Sequence, residues 1–300
     1  MDEEVLRASR HSRYSDPGVH RARWEALTPD AALADVVAVV RNLLYHYRAD
    51  GIEVPPERRS DIDGRWAERI LGVDAARHPE PLDAPRDRAE RVAGCCRDFT
   101  LLTVSALRER GLAARSRVGF AGYFGPGFHY DHVVVEYHDG TGWVRADAQL
   151  DPSWFAFDTC ALPERGLDGF ATAAEVWSAV RSGTADPRTF GVFPESPFGG
   201  TPFVFDYVIR DIAHRMGDEL LLWDVWGAMH GERAVEPAEA EWMDALAELV
   251  IAADAGDEEA VRTLASRYAA DDRLNPRGRV VQASPYDLPD VEVDLIADAP

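Results

Sequence analysis

Leu33, Val36, Val37, Val40, Leu43 and Leu44 recur at three- and four-residue spacing, the period of one apolar helix face, and predict a helix. Thr28, Pro29 and Asp30 ahead of it supply an N-cap, a proline for the first turn and an acid for the positive end of the dipole. Gly51 is its predicted stop. A polar stretch from Pro55 to Gly64 leads to a second helix around Trp66 to Leu71, and the segment from Pro79 to Pro85 reads as an extended connector. From Val92 to about Pro152 the period changes. One amphipathic helix, burying Phe99, Leu102 and Leu107 and ending at Gly111, is followed by stretches that alternate every second residue. Thr172 and Glu175 form a capping box before Val176, Trp177 and Val180, with Gly183 closing that helix. Further helices are expected near residues 203–215, 218–229, 238–255 and 258–270. The tail from Asn275, where Val and Asp alternate around Pro285 and Pro289, is expected to drape over the surface or to be partly disordered. Three regions follow: residues 1–90, helical; residues 91–200, a mixed core; and residues 201–300, helical with an extended tail.

Chemistry gathers in the middle region. Residues His132 to Tyr137 alternate around Val133 and Val135, Trp143 to Asp147 form a return strand, and Asp139-Gly140 between them is a hairpin signal. Pairing His138 with Thr141 and counting back sets His132 opposite Asp147, with Val133 and Val135 meeting Ala146 and Val144 on the other face. Directly opposed side chains stand about 4.5–5.5 Å apart at Cβ, close enough for a His–carboxylate hydrogen bond. Such a bond fixes the tautomer and leaves one ring nitrogen free to take a proton; a simple surface ion pair satisfies the same pattern. Glu136 and Arg145 share the His132 face and suggest a cleft wall. His129, His132, His138 and Asp131 fall within ten residues, but strand alternation throws His129 and His132 to opposite faces, so no metal site is expected.

Cys95 and Cys96 stand at the start of the amphipathic helix. Unpaired N–H groups and the macrodipole there favour a thiolate, which predicts a lowered pKa and a usable nucleophile, with the same N–H groups available to a developing oxyanion. The alternative is that both are small buried hydrophobes. With Cys160 the cysteines number three, and free thiols are expected.

Taken together, Gly94-Cys95-Cys96-Arg97-Asp98-Phe99, then Gly111-Leu112-Ala113-Ala114-Arg115, then His132, and finally Gly142-Trp143-Val144-Arg145-Ala146-Asp147 resemble the core of the transglutaminase-like superfamily, which is related in layout to papain-type cysteine proteases. The resemblance covers roughly residues 91 to 152. It implies an α+β fold with a transglutaminase-like, papain-like core, a central helix on a small antiparallel sheet, carrying N- and C-terminal helical extensions. It also implies Cys96 as nucleophile, His132 as base and Asp147 as orienting acid, with a side-chain oxyanion donor upstream, for which Trp66 is only a guess. The sequence departs from the family where His132-Val133-Val134 replaces the usual His-Ala-Trp, and where residues Gly122 to Tyr130 are inserted before the base. In that insertion Tyr123, Phe124, Phe128 and Tyr130 are candidate substrate contacts; a hairpin connection with buried aromatics is the alternative.

Composition narrows the function. The net charge of −21 comes from acids spread along all 300 residues, with no basic stripe for a phosphate backbone, so nucleic acid is not an expected partner. All basic charge is Arg. A Gln-to-Lys crosslinker of this sequence could not join its own copies through side-chain amines. Neither a secretion signal nor a membrane span is evident, so a cytoplasmic protein without membrane attachment is expected. The expected activity is cysteine-dependent acyl transfer through a covalent acyl-enzyme, without cofactor. Its substrate would be the amide or thioester of a small molecule or peptide, with an amine as second substrate if the acyl group is not passed to water. The alternatives are a non-catalytic binding module on the same fold and a papain-type cysteine peptidase.

Overall fold

A computed structural model of the chain describes residues 3–25, 27, 31–163 and 165–300. In chain order its elements are helices α1 (Glu3–Ala8), α2 (Arg21–Glu25) and α3 (Leu33–Leu43), strand β1 (Leu44–His46), helix α4 (Ala67–Arg77), strand β2 (Val92–Gly94) and helix α5 (Cys96–Glu109). Strands β3 (Ala114–Ala121), β4 (His129–His138), β5 (Trp143–Ala146) and β6 (Phe170–Thr172) follow, then helix α6 (Ala173–Arg181), strand β7 (Phe190–Gly191), helix α7 (Gly200–Met216) and strand β8 (Asp224–Val225). Helices α8 (Pro237–Asp254) and α9 (Glu258–Ala270) and strands β9 (Arg279–Gln282) and β10 (Val291–Asp294) complete the chain. The architecture is α+β, as expected, with a helix packed on a small, largely antiparallel sheet and helices on both sides in sequence. Among the described residues no helix is long and apolar enough to cross a membrane.

The central sheet runs β5-β4-β3-β6, and the short β7 pairs with β4 in parallel. β3 covers one edge of β4 from Tyr130 to Tyr137. On the other edge β7 covers only His129 and Tyr130, and β5 only Val135 to His138. Residues 131–134 therefore face a gap between two strands, and α5 fills it: the hydroxyl of Thr100 donates to the Val133 carbonyl at 2.9 Å. This gap brings a helix N-terminus to the base of a strand. Gly119, opposite His132, permits the neighbouring β6 to approach, because a Cβ there would lie 2.1 Å from the Ala171 carbonyl oxygen.

Several expectations are corrected. The β4–β5 register is Val135 with Ala146 and Tyr137 with Val144, two residues away from the predicted pairing. The cause is the turn: the Asp139 carboxylate accepts from the N–H groups of Thr141 and Gly142, so four residues, 139–142, form the loop and His138 pairs with Trp143. A slip of two preserves the face each side chain occupies. The first helix ends at Leu43 rather than near Gly51, because Leu44 to His46 turn into β1 and pair in parallel with β2. Its proposed cap, Thr28 to Asp30, lies outside the described residues. Between residues 218 and 229 no helix forms. Asp224 instead accepts from the Leu221 N–H at 3.1 Å and from the Arg65 guanidinium, and the segment enters a three-stranded sheet, β10-β9-β8, built largely from the predicted surface tail.

One hydrophobic core runs through all three regions, from Tyr14 and Val40 through Val118 and Val133 to Leu264 and Val293. The polar face of β4 is also dry. Glu136 accepts from Arg115 at 2.7 Å, Arg117 at 3.1 Å and Arg145 at 3.2 Å, while Arg117 also binds Asp211 and Asp254. Glu4 and Arg215 extend this network to α1 and α7. Glu136 and Arg145 are thus 1% and 2% exposed parts of a buried ion cluster, not the cleft wall that alternation suggested.

Candidate active site

Helix α5 begins where β2 delivers the chain. Asp98, in its first turn, accepts from the Cys95 N–H at 2.7 Å, and Gly94 leaves room for that carboxylate, since a Cβ at residue 94 would sit 2.9 Å from an Asp98 oxygen. Arg97, 1% exposed, donates to the carbonyls of Gly64, Arg65 and Glu219 and to Asp98, which pins the helix tip to segments far away in sequence. Cys96 is the first helical residue, so its N–H has no intrahelical acceptor.

His132 reaches the same place from β4. Its Nε2 lies 2.6 Å from Asp147 Oδ2, with the two side chains 3% and 0% exposed. Asp147 stands just past the end of β5, and with the observed register it sits on a diagonal from His132. That carboxylate also accepts the Tyr123 hydroxyl at 2.5 Å and the Gln149 N–H at 3.0 Å. Burial and the adjacent Asp147 push the Tyr123 phenol well above its ordinary pKa, so it remains a donor. With Nε2 committed to Asp147, Nδ1 is the ring nitrogen left over.

Cys96 and His132 line one cavity of about 560 Å³. A hydrogen bond with Cys95, burial, and the negative character of Cys95 and Asp131 raise the Cys96 pKa well above the usual thiol range; the Val133 N–H at the sulfur pulls the other way. The expectation of a thiolate lowered by the helix dipole is therefore reversed. The hydrogen bond with Cys95 and the loss of water around the sulfur both favour the neutral thiol, against the helix dipole.

The four aromatic residues of the β3–β4 connection separate into two roles. Phe124 and Tyr130 line the cavity, and the Phe124 ring meets the His132 ring edge-on at 5.0 Å. Tyr123 packs beneath them against Phe155 and Phe157 with its hydroxyl on Asp147, and Phe128 packs on Tyr130; neither lines the cavity. His129 turns away to stack on Phe190, 4.4 Å between ring centres, as strand parity required. Asp131 does line the cavity and accepts from the Tyr207 hydroxyl. Among the described residues no group of three or more His, Cys, Asp or Glu is arranged to hold a metal ion.

Other lining residues were not legible in the sequence. His46 at the end of β1 and Tyr47 just after it flank the thiols because β1 lies beside β2; burial lowers the His46 pKa to about 4. Trp66, the upstream guess for an oxyanion donor, is instead buried against Tyr14 and is not part of the lining. From the C-terminal region, Phe203, Asp206, Tyr207 and Arg210 form an i, i+3, i+4, i+7 stripe of α7 along one wall, and Trp223 and Ser284 contribute from beyond it.

Residues 65–148 match the family model of the transglutaminase-like superfamily. No curated protein matches the chain. Among solved structures, one from Cytophaga hutchinsonii, named a "putative cysteine protease", is similar at 16% identity and a TM-score of 0.34 over 50% of this chain. The similarity spans 43% of that protein, less than half of its length.

Proposed function

We propose that this chain, whose residues 65–148 match the transglutaminase-like superfamily model, is a cysteine-dependent acyl-transfer enzyme that cleaves or forms amides through a thioester on Cys96. The observation that carries the reading is the buried 2.6 Å bond from His132 Nε2 to Asp147, on the wall of the same cavity that holds a thiol at a helix N-terminus. An imidazole held in one tautomer, with its other nitrogen spare, is a base with a defined direction.

Because the sulfur rests as a thiol, the first step is general-base catalysis. His132 Nδ1 takes the Cys96 proton as the sulfur bonds to the substrate carbonyl carbon, and Asp147 stabilises the imidazolium. The carbonyl oxygen gains the charge and meets the Cys96 N–H and the Tyr47 hydroxyl. Collapse of this intermediate breaks the bond to the leaving group, which departs with the proton from His132 and leaves the acyl thioester. Water or an amine then gives its proton to His132, attacks the thioester and releases the thiol.

A panel of peptide amides and acyl thioesters, each with and without added amines, tests the reading. The expected result is turnover of at least one member and, after acid quench, a mass increase on Cys96 equal to the acyl group. Cys96→Ala protein that is folded and turns over the same substrate equally well would reassign the nucleophile.

A further inference from the structure

Arg210 carries a buried charge that the fold leaves without a direct ion pair. The residue is 5% exposed and lines the same cavity as Cys96. A guanidinium has five N–H donors. Here Nη2 donates to the Asp224 carbonyl at 2.9 Å and Nη1 to the Met229 sulfur, a weak acceptor, at 3.4 Å. Nε is buried with no acceptor. Its guanidinium carbon lies 5.4 and 5.9 Å from the ring centres of Tyr207 and Trp226. Two acids stand nearby and offset part of the charge, but neither bonds the guanidinium: Asp206 accepts the N–H groups of His230 and Gly231 at 2.6 and 2.9 Å, and Asp131 accepts the Tyr207 hydroxyl. Among the described residues, Arg210 makes no ion pair, whereas the buried Arg65, Arg86, Arg115 and Arg117 each do.

A buried cation with spare donors on a cavity wall is a receptor for an anion, since taking a charge out of water is costly until a counter-charge meets it. We infer that Arg210 binds a carboxylate of the acyl substrate, so that the substrate of this cavity is an acid-bearing amide or thioester. The inference rests on Cys96 as the reacting group. A singly charged carboxylate fits better than a phosphate, because Arg210 supplies one positive charge on a wall that also holds Asp131 and Asp206, and each added negative charge raises the repulsion from those two acids. Tyr207 spans the separation: its hydroxyl is on Asp131, next to His132, and its ring is against the guanidinium. The separation between the carboxylate and the scissile carbonyl is what a series of spacer lengths reads. The aromatic lining between, including Phe203 and Tyr130, suits the chain that joins them.

Two measurements test this without knowledge of the natural substrate. First, Cys96 is alkylated by N-iodoacetyl derivatives of glycine, β-alanine and 6-aminohexanoate, each compared with its own carboxamide. The expected result is an acid faster than its amide by about tenfold or more at one spacer length, with the ratio falling towards one in Arg210→Gln and partly retained in Arg210→Lys. Equal rates for acids and amides in the unaltered protein would overturn the inference whether or not the variants fold. Second, the N-acetyl counterparts are titrated calorimetrically into Cys96→Ala protein, where reactivity plays no part. An acid binding at least tenfold tighter than its amide sustains the inference even if the thiol proves inert, in which case only the catalytic reading falls. Tighter binding of inorganic phosphate than of any of the acids would overturn the carboxylate assignment.

Discussion

His132 and Asp147 are bonded Nε2 to Oδ2 at 2.6 Å although they stand on a diagonal of the β4–β5 ladder, not opposite each other. Cross-strand diagonals are longer than direct pairs, and the bond is closed by Asp147 leaving the strand and by Tyr123 and Gln149 fixing its carboxylate. Asp147→Asn turns one oxygen into an amide donor facing Nε2 and favours the wrong tautomer. The expected loss in kcat is about 10³-fold or more with the fold retained. Tyr123→Phe removes one hydrogen bond to the same oxygen and should cost about ten- to a hundredfold. Steady-state kinetics with circular dichroism checks both.

Tyr47 is the expected side-chain donor to the oxyanion, because it lines the cavity beside Cys96 and Trp66 does not. Tyr47→Phe should lower kcat by about 10²-fold, the cost of one such donor, with little change in KM. A change confined to KM would make Tyr47 a substrate contact.

Cys95 raises the Cys96 pKa chiefly through the hydrogen bond between the two side chains. Cys95→Ala should therefore move the pH profile of Cys96 alkylation to lower pH and speed labelling at neutral pH. The site of labelling is read by peptide mass spectrometry. A profile unmoved by the substitution would show that burial alone sets the thiol pKa.

Acid should destabilise the fold from two sources that act in the same direction. Burial depresses His46 to about 4 and His214 to about 3, so below the ordinary histidine pKa of about 6.5 the unfolded chain binds protons that the folded chain does not. Stability then falls as pH drops through this range, by up to about 1.4 kcal/mol per pH unit for each histidine. Asp254 is held at about 2: burial alone would raise it, but Arg117 and Arg215 more than offset that. Its contribution is present above its ordinary pKa near 4 and is lost between about 4 and 2. Urea midpoints measured from pH 7.5 to 2 should hold down to about pH 6.5 and decline below it, and those of His214→Gln, if that variant folds, should decline less steeply.

Much of the candidate site was legible because it rests on local rules. Period and a terminal glycine marked α5, and alternation with Asp139-Gly140 marked the hairpin, so the residues on each face were read correctly even though the register was not. The register depended on how the Asp139 side chain bonds its own turn, which composition does not specify. The face shared by Glu136 and Arg145 looked wet, since a strand carries no sign that α1, α7 and α8 will bring acids and arginines to cover it. The cavity wall from α7 and residues 222–225 and 283–287 was hidden for the same reason: it arises from packing over long sequence distance. Between residues 218 and 229 the run of Leu220, Leu221, Leu222 and Trp223 resembled a helix, and the buried Asp224–Arg65 pair decided otherwise.

The most direct test of the thiol–imidazole partnership needs no substrate: the rate of Cys96 carbamidomethylation by iodoacetamide at neutral pH, compared between the unaltered protein and His132→Gln. If the imidazole accepts the thiol proton, the expected fall is about 10²-fold with the fold intact. Equal rates in the two proteins would contradict it, because the sulfur would then be ionising without help from residue 132.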